Sequence, residues 1–383
     1  MSPFPAQLEK RLLESEVTFL RRNLSYRKGI DFSSNDYLGF SKDPMLIQQV
    51  REAIQDFPLG SSGSRLLRGN LDIHEKAEGQ LANFVGREAA LLFSTGFQAN
   101  IGFLSAILMP GDFVFSDELN HASLIDGIRL SKATKVVYPH KNMGKLSQFL
   151  EETPNREGLK VIVTESLFSM DGDIAPLVEL QEIAQHFSAF VVVDEAHATG
   201  LYGSFDERLG GGIVQALGLS DSILATIHTG GKALGAQGAW IACDQKMKDY
   251  LVNFSRAFIY STAPMPVVPL SLILAIEYWK EVGKSRAKEV LKQALWLKKQ
   301  FPELTIGYAD EACGPIVPII LGENERALKI GQRIQNEGFD VRTIRPPTVP
   351  KGTARLRLTV TWPELSHVES FAKLVSNVIK DFS

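Results

Sequence analysis

Short apolar runs alternate with helical patterns through the middle of the chain, and this alternation constrains the fold more than any other feature. The runs span residues 90–93, 113–115, 136–138, 161–164, 190–193 and 223–226. Helical stretches lie between them, such as 177–186, where apolar residues recur at helical spacing. Strands that alternate with helices predict βαβ units and a mainly parallel sheet covered on both faces. We therefore expect an α/β fold.

The pattern changes after Pro266. Residues 270–301 form a long helical pattern that is interrupted near Gly283, so it predicts either one helix or two. Further strands are predicted at 316–321, 339–344 and 354–360, and further helices at 6–24, 324–337 and 363–379. We predict three parts: an N-terminal helix and arm at 1–45, a large domain at 46–275 and a small α+β domain at 276–383.

Charge and composition exclude several classes of protein. The 41 Lys and Arg residues nearly balance the 44 Asp and Glu residues, whereas a general nucleic-acid binder usually carries a basic excess. Two cysteines exclude a disulfide scaffold and fit a reducing compartment. Prolines break the longest apolar stretch, 265–276, which is shorter than the about 20 residues of a membrane helix. The N-terminus lacks a secretory pattern, so we expect a cytoplasmic protein without nucleic-acid or membrane partners.

An Asp directly follows the buried run Phe-Val-Val-Val and so lies at the carboxyl end of a predicted strand. This residue is Asp194, and His197 follows three positions later. In open α/β sheets, ligands bind at the carboxyl ends of the strands. An isolated Asp-x-x-His pair is more often a turn cap followed by a structural histidine. The pair becomes specific only with its neighbours.

A lysine follows the next predicted strand, inside the glycine-rich segment Thr-Gly-Gly-Lys-Ala that ends with Lys232 and Ala233. A lysine beside a low-dielectric cleft can lose its proton and act as a nucleophile. Together with Asp194, this suggests a Schiff base to pyridoxal phosphate, with the Asp opposite the pyridinium nitrogen. A nucleotide-binding P-loop would need Ser or Thr after the lysine, which Ala233 excludes. Alone, Lys232 could be a surface lysine.

Three further segments offer polar groups at strand ends. Gly96 and Phe97 begin a predicted helix, whose amides could bind phosphate, although a plain helix cap is the better explanation for this segment by itself. Asn120 can cap the next helix, which would place His121 in the first turn, where its ring could stack on a cofactor. By itself, His121 could equally be an ordinary histidine of a first helical turn. Residues 164–173 open at another strand end, although part of this segment could be only a turn.

The order of these segments resembles the α-oxoamine synthase family of fold-type I pyridoxal-phosphate enzymes. The matching motifs are Thr-Gly-Phe at 95–97, Asn-His-Ala-Ser at 120–123, Phe-Ser-Met-Asp-Gly-Asp at 168–173, Asp-Glu-Ala-His-Ala-Thr-Gly at 194–200 and Thr-Gly-Gly-Lys at 229–232. Earlier matches lie at 31–39 and 60–65, so the resemblance covers nearly the whole chain. It implies a pyridoxal-phosphate transferase fold with a mainly parallel sheet in the large domain. It also implies that the protein forms a homodimer.

The resemblance also implies roles for individual residues. Lys232, His121, Asp194 and His197 are the implied catalytic residues, all of which also contact pyridoxal 5'-phosphate. Further implied cofactor contacts are Gly96, Phe97, Ser169, Thr229, Ser261 and Thr262, the last two from the neighbouring subunit. Implied substrate-binding residues are Arg21, Arg345, Thr348 and Arg357, and no metal is implied. The alternative for these arginines is surface ion pairing, and for Arg355 we keep that interpretation.

Within the family, the segment 344–358 is similar to the biotin-pathway member, which implies L-alanine and pimeloyl-CoA or pimeloyl-acyl carrier protein as substrates. Members that use glycine with acetyl-CoA, or serine with a long acyl-CoA, are the alternatives. The chain departs from the family at Gly230, because Thr-Phe-Gly-Lys is common where Thr-Gly-Gly-Lys stands here. A non-catalytic pyridoxal-phosphate binder is a different possibility, against which the intact Lys232, Asp194 and His197 argue.

Overall fold

The computed structural model describes residues 3–24, 26, 28–154, 158–204, 209–306 and 313–382. The chain forms two compact units. The small unit comprises Met1–Asn35, Met170–Asp173 and Val290–Ser383, and the large unit comprises Asp36–Ser169 and Ile174–Glu289. The predicted boundaries at residues 45 and 275 stay a prediction.

The strands and helices are numbered in chain order. The strands are β1 (Ile30–Asp31), β2 (Ala89–Phe93), β3 (Phe113–Asp117), β4 (Thr134–Tyr138), β5 (Lys160–Glu165), β6 (Phe190–Asp194), β7 (Ala225–Thr229), β8 (Ala239–Cys243), β9 (Ile316–Gly322), β10 (Phe339–Asp340), β11 (Arg342–Ile344) and β12 (Ala354–Thr359). The helices are α1 (Pro3–Val17), α2 (Pro44–Ala53), α3 (Asp72–Val85), α4 (Gly96–Ile107), α5 (Ala122–Ser131), α6 (Met143–Glu152), α7 (Leu177–His186), α8 (Ile213–Ala216), α9 (Gln245–Phe254), α10 (Arg256–Ile259), α11 (Val267–Lys299), α12 (Asn324–Asn336) and α13 (Val368–Asp381).

The large unit contains a seven-stranded sheet in the order β2-β8-β7-β6-β5-β3-β4. Strand β8 pairs antiparallel with both neighbours, and the other strand pairs are parallel. The predicted mainly parallel sheet is therefore confirmed, although the prediction missed β8. As a result, the carboxyl ends of β2, β3, β5, β6 and β7 lie along one edge of the sheet, where ligands bind in such folds.

Both faces of this sheet are buried. Along β6, Val192 packs into one apolar cluster, whereas Val191 and Val193 pack into the cluster on the opposite face. Successive side chains of a strand point to opposite faces, so an unbroken apolar run is what a doubly covered strand requires. The run Phe-Val-Val-Val therefore fixes β6 in the middle of the sheet, with Asp194 at its end.

The small unit contains the antiparallel sheet β11-β12-β9 and the short parallel pair β1-β10. Its apolar core includes Val317, Leu356 and Phe371, all fully buried. Phe32, which follows β1, stacks on Phe371 with ring centroids 3.8 Å apart. The N-terminal strand β1 thus belongs to the core of this unit.

Helix α11 is one continuous helix of 33 residues, which settles the question left open by Gly283. A side chain at position 283 would clash with the indole of Trp279 one turn earlier. The Trp279 indole is buried and donates a hydrogen bond to the carbonyl of Gly200 at 2.8 Å. Glycine inside a helix costs about 1 kcal/mol relative to alanine, and here it makes room for a large buried side chain.

Helix α1 ends at Val17, earlier than the predicted residue 24. The chain turns there, with the Thr18 hydroxyl donating to the carbonyl of Glu14 at 2.7 Å and Phe19 in the left-handed region. Within the ranges that the structure describes, none of the helices combines the length and apolar character needed to cross a membrane.

Candidate active site

The carboxylate of Asp194 is buried at the end of β6, with 5% of the residue exposed. Its Oδ1 accepts a hydrogen bond from the amide of Ala196 at 2.9 Å, and its Oδ2 accepts one from Asn100 Nδ2 at 2.7 Å. The first bond is the turn cap that the sequence allowed. The second comes from helix α4 and orients the carboxylate from across the sheet edge.

A chain of buried polar groups connects Asp194 to His121. Asn100 Nδ2 also lies 2.9 Å from the hydroxyl oxygen of Ser123, and this hydroxyl lies 2.7 Å from His121 Nδ1. Asn100 and Ser123 are both almost fully buried. Buried networks of this kind fix the orientation of their members because each broken bond leaves an unpaired polar group. The structure therefore brings together two predicted site residues and adds Asn100 and Ser123.

His121 itself caps helix α5, because its Nδ1 accepts a hydrogen bond from the amide of Ser123 at 3.3 Å. The expectation that Asn120 is the cap was wrong. The Asn120 side chain instead donates to Ser116 Oγ and to the carbonyl of Val163, at 2.9 and 2.8 Å. Asn120 thus fastens the start of α5 to the neighbouring strands β3 and β5.

A second buried carboxyl group, that of Glu165, lies beside Asp194 because their strands pair in register at these residues. Glu165 accepts a hydrogen bond from the amide of His121 at 2.7 Å. Burial, together with the charge of Asp194, raises the pKa of Glu165 to about 8, although the charge of Lys232 opposes this shift. Glu165 is therefore mostly protonated at neutral pH, which avoids two adjacent negative charges.

Burial also lowers the pKa of His121; Asp194 acts in the opposite direction and Lys232 in the same direction. The imidazole is therefore mostly neutral near neutral pH. The influence of Lys232 on both Glu165 and His121 indicates that its ammonium group lies in the same cluster.

The turn between β7 and β8 carries Lys232. The Thr229 hydroxyl donates to the carbonyl of Gly238 at 3.1 Å and accepts from the amide of Gly231 at 3.2 Å. The amide of Gly235 donates to the carbonyl of Lys232 at 2.9 Å. Gly235 has a φ of +61°, a conformation that favours glycine. These bonds close the turn on both sides of the lysine.

The departure from the family pattern at Gly230 has a local explanation. A side chain at this position would clash with Leu272 of helix α11. Leu272 is fully buried and belongs to the apolar cluster that covers this face of the sheet. Leu272 therefore occupies the space that a larger residue would need, and the turn keeps Thr229 and Lys232.

The N-terminus of helix α4 provides backbone amides without intrahelical acceptors, near Asp194 and His121. Thr95 caps the helix by accepting from the amide of Gln98 at 3.2 Å, so the plain cap exists. A helix leaves its first amides without an intrahelical acceptor, which makes those of Gly96 and Phe97 available. The Phe97 ring is half-exposed and meets the His121 ring edge-on, with centroids 6.4 Å apart, which places the start of α4 next to His121.

His197 lies in the turn that follows Asp194, and 6% of the residue is exposed. Its Nδ1 is 2.6 Å from the hydroxyl oxygen of Tyr37. Ser169 is half-buried in the turn beyond β5. Ser261 and Thr262 lie beside the segment 63–64, where Thr262 pairs with Ser64 in an antiparallel bridge. The proposed contacts of Ser169, Ser261 and Thr262 with the cofactor stay a prediction.

In the small unit, two arginines of β12 have different partners. Arg357 donates to Asn35 Oδ1 at 3.0 Å, and 6% of the residue is exposed. Arg355 forms the expected ion pair, with Asp171, but the pair is buried, so the expectation of a surface position was wrong. A guanidinium can bind a carboxylate with two parallel hydrogen bonds, and the substrate contact of Arg357 stays a prediction.

The remaining predicted substrate residues, also in the small unit, gather at the N-terminal arm. Arg345 donates to the carbonyls of Phe19 and Arg21. Thr348 accepts from the guanidinium of Arg22 at 3.0 Å, whereas the Arg21 guanidinium pairs with Glu16 at 3.1 Å. Arg22 is thus an additional candidate that the sequence did not single out. The substrate roles of these residues stay a prediction.

A further histidine, His228, is buried between β7 and the turn after β6. Its ring stacks on Trp240. Its Nδ1 lies 2.8 Å from the Thr199 hydroxyl and its Nε2 lies 2.7 Å from the Thr226 hydroxyl. Burial, with a smaller effect from the charge of Arg87, lowers the pKa of His228 to about 3. The ring is therefore neutral and ties the lysine strand to the turn that holds His197.

His228 makes stability depend on pH in a predictable direction. The pKa of His228 in the folded state lies below the ordinary value of 6.5. The contribution of the neutral ring to the free energy of unfolding is therefore complete above pH 6.5 and is lost as the pH falls toward 3. The loss amounts to about 1.4 kcal/mol per pH unit. We expect the melting temperature of both proteins to fall when the pH is lowered from 6.5 to 5. The fall should be smaller in His228→Gln than in the unmodified chain, by roughly 2–4 °C. The exposed His186→Gln is the control, and equal slopes in all three proteins would contradict the prediction.

The residues of the large unit fit pyridoxal phosphate. Asn100 Oδ1 is buried and has no hydrogen-bond partner among the described residues. A Cβ added at Gly96 would meet no atom within 4 Å, so the space before α4 is open. One sheet edge thus offers a carboxylate for the ring nitrogen, a helix N-terminus for the phosphate and Lys232 for the covalent bond.

Comparison with known proteins agrees with this geometry. The aminotransferase class I and II family model matches residues 27–371. An 8-amino-7-oxononanoate synthase from Lysinibacillus sphaericus is 41% identical over 91% of this chain and 86% of that protein. The chain belongs to the aminotransferase class I and II family, in its 8-amino-7-oxononanoate synthase branch. Another relative in this branch, 8-amino-7-oxononanoate synthase 2 of Bacillus subtilis, is 41% identical over 89% of this chain and 85% of its own length.

Solved structures in this family share the fold. A serine palmitoyltransferase variant from S. paucimobilis has a TM-score of 0.88 at 27% identity, over 98% of this chain and 97% of that one. An 8-amino-7-oxononanoate synthase from Francisella tularensis has a TM-score of 0.77 at 26% identity, over 92% and 98% of the two chains. The predicted fold class and family are confirmed. The fold is common to both neighbours, so the 41% identities rather than the TM-scores favour the synthase branch.

Proposed function

We propose that this chain is a pyridoxal-phosphate-dependent acyltransferase that condenses L-alanine with a pimeloyl thioester, either pimeloyl-CoA or pimeloyl-acyl carrier protein. The products are 8-amino-7-oxononanoate, CO2 and the free thiol, as in biotin biosynthesis, and we expect the reaction in the cytoplasm. The observation that carries the proposal is the cluster of Lys232, His121 and the buried Asp194 at one sheet edge. The 41% identity to two 8-amino-7-oxononanoate synthases supports the choice of substrates.

The large unit supplies the groups that hold the cofactor. Asp194 would hold the ring nitrogen and His121 would pack on the ring. The amides of Gly96 and Phe97, together with Thr229, would hold the phosphate. Bound pyridoxal phosphate supplies the electron sink for negative charge at the α-carbon of the amino acid. The Asn100 and Ser123 side chains keep Asp194 and His121 in place.

The proton chemistry falls to Lys232. Its Nζ would remove the α-proton of alanine and later return a proton to the same carbon. A lysine can act as a base when its surroundings disfavour its charged form. The α-carbon attacks the thioester carbonyl, the thiol leaves, and the alanine carboxyl group is then lost as CO2. His197, three residues after Asp194, and Ser169 would contact either the ring oxygen of the cofactor or the reacting groups.

The small unit supplies the proposed substrate contacts. Arg357 binds the alanine carboxylate, for which a guanidinium offers paired donors. Arg345, Thr348 and Arg21 line the acyl side, and the contact between Arg22 and Thr348 makes Arg22 a further member of this group. Two copies of the chain form a homodimer, in which Ser261 and Thr262 contact the phosphate of the other copy.

The test is a matrix of amino acids and acyl donors with the purified holoenzyme. Alanine, glycine and serine are each combined with pimeloyl-CoA, pimeloyl-acyl carrier protein, acetyl-CoA and palmitoyl-CoA, and free thiol and the product mass are measured. We expect release with alanine and a pimeloyl donor, accompanied by the mass of 8-amino-7-oxononanoate. Release only with serine and palmitoyl-CoA would favour the second candidate, which rests on the TM-score of 0.88 to a serine palmitoyltransferase. Release only with glycine and acetyl-CoA would overturn both.

A further inference from the structure

Tyr37 is a buried phenol whose hydroxyl contacts a proposed catalytic residue. None of its surface is exposed, and its hydroxyl oxygen lies 2.6 Å from His197 Nδ1. The two rings are tilted by 46° with centroids 6.2 Å apart, so they meet through the hydrogen bond and not by stacking. Tyr37 belongs to the segment 31–39, which matches the family but received no role in the proposed function.

The segment that carries Tyr37 is firmly held. Arg286 of helix α11 donates to the carbonyl of Leu38 at 2.9 Å and pairs with Asp43 at 2.8 Å. The same guanidinium lies over the Phe40 ring, 5.4 Å from its centroid. Buried and charge-assisted bonds of this kind fix a backbone well. The phenol of Tyr37 is therefore presented to His197 from a rigid support.

The same segment also supports the lysine turn. Gly235, three residues after Lys232, packs so closely on the backbone of Phe40 and Ser41 that a side chain there would clash with it. One short stretch of chain therefore contacts the His197 turn through a side chain and the Lys232 turn through its backbone. The placement of Tyr37 relative to both turns is set by the fold, and a mobile surface tyrosine could not provide it.

We infer that Tyr37 is a positioning residue for His197, whose Nδ1 accepts a hydrogen bond from the phenolic O–H. The hydrogen bond made by one ring nitrogen determines which nitrogen carries the proton. With Nδ1 occupied as an acceptor, the proton of the neutral ring resides on Nε2, which becomes a donor toward the cofactor or the reacting groups. This inference rests on the role of His197 in the proposed function.

The first test compares Tyr37→Phe, His197→Asn and the double variant as holoenzymes. Loss of one buried hydrogen bond is worth about a factor of ten, so we expect kcat/KM to fall about 10-fold in Tyr37→Phe. The double variant should match His197→Asn within about twofold, because Tyr37 acts through His197. The pH midpoint of the cofactor absorbance should shift in both single variants by roughly 0.5 unit or more and in the same direction.

Tyr138→Phe is the matched control, because Tyr138 is equally buried at the end of β4 and is expected to leave the midpoint unchanged. The inference would be overturned if the double variant lost kcat/KM by the product of the two single losses. It would also be overturned if the pH midpoint of the cofactor absorbance moved as little in Tyr37→Phe as in Tyr138→Phe. Absence of cofactor absorbance and thiol release in the unmodified protein would instead be a failure of the proposed function.

A second measurement needs no substitution at position 37. Long-range 15N–1H spectra of the unmodified protein, labelled at histidine and assigned with His197→Asn, report which ring nitrogen of His197 carries the proton. We expect the proton on Nε2 in the protein with and without the cofactor. A proton on Nδ1 would refute the proposed donor role of Tyr37 even if Tyr37→Phe fails to fold.

Discussion

Replacing Lys232 by alanine removes the covalent attachment of pyridoxal phosphate and lowers the rate of thiol release by about 10⁴-fold. The charge of Lys232 acts on the pKa of both His121 and Glu165, so the lysine is near enough to interact with these two groups. The alanine methyl group can neither bond to the cofactor nor carry a proton. Borohydride reduction followed by mass spectrometry measures attachment, and a free-thiol assay measures the rate.

Lys246→Ala is the control for this variant, because Lys246 is exposed on helix α9 of the same unit. It should retain both the attachment and the rate. A Lys232→Ala protein that still carries the cofactor after borohydride treatment would show that another amine forms the covalent bond. A rate within tenfold of the unmodified protein would show that another group moves the proton.

Replacing Asp194 by asparagine lowers kcat by about 10²- to 10³-fold while the protein stays folded. Asparagine has the same shape, and its carbonyl oxygen can still accept one of the two hydrogen bonds that reach Asp194 from Asn100 and Ala196. It lacks the negative charge that would hold a proton on the ring nitrogen, and one fixed electrostatic group of this kind is worth about 10²- to 10³-fold. The cofactor should therefore bind and remain attached to Lys232 but turn over slowly.

The measurement combines the absorbance spectrum of the bound cofactor with the thiol-release rate. Asp249→Asn is the control, because Asp249 is an exposed aspartate on α9, and its rate should stay within twofold of the unmodified protein. An Asp194→Asn enzyme with an unchanged rate would mean that Asp194 only caps the turn after β6, which is the structural interpretation that an isolated Asp-x-x-His pair favours.

Much of the cofactor site could be predicted because the chemistry follows strand ends. Asp194 comes directly after an unbroken apolar run, and Lys232 lies in a glycine-rich turn after the next run. The local sequence pattern is enough to predict the position of such residues, because the carboxyl ends of parallel strands all lie at one edge of the sheet. Helix caps were harder to predict: Asn120 and His121 are adjacent and both suit a cap, and only the packing of Asn120 against β5 decides between them.

Other features were missed or left open for a physical reason. Strand β8 follows the lysine turn without an intervening helix, and its antiparallel pairing breaks the βαβ alternation. Helix α11 continues through Gly283 because Trp279 packs over it, which a glycine in a sequence does not reveal. Arg22 and Arg21 are neighbours of the same type, and only the fold of the arm decides which guanidinium contacts Thr348.

The sequence by itself determined the α/β architecture, the family and the residues at the strand ends, because these follow from periodicity and from the order of motifs. Only the tertiary structure decided which polar groups support those residues. Asn100 contacts Asp194 across 94 positions of the chain, and Tyr37 contacts His197 across 160. Contacts at such separations leave no periodic signal. They arise when the packing of helices on the sheet brings distant, buried side chains within hydrogen-bond distance.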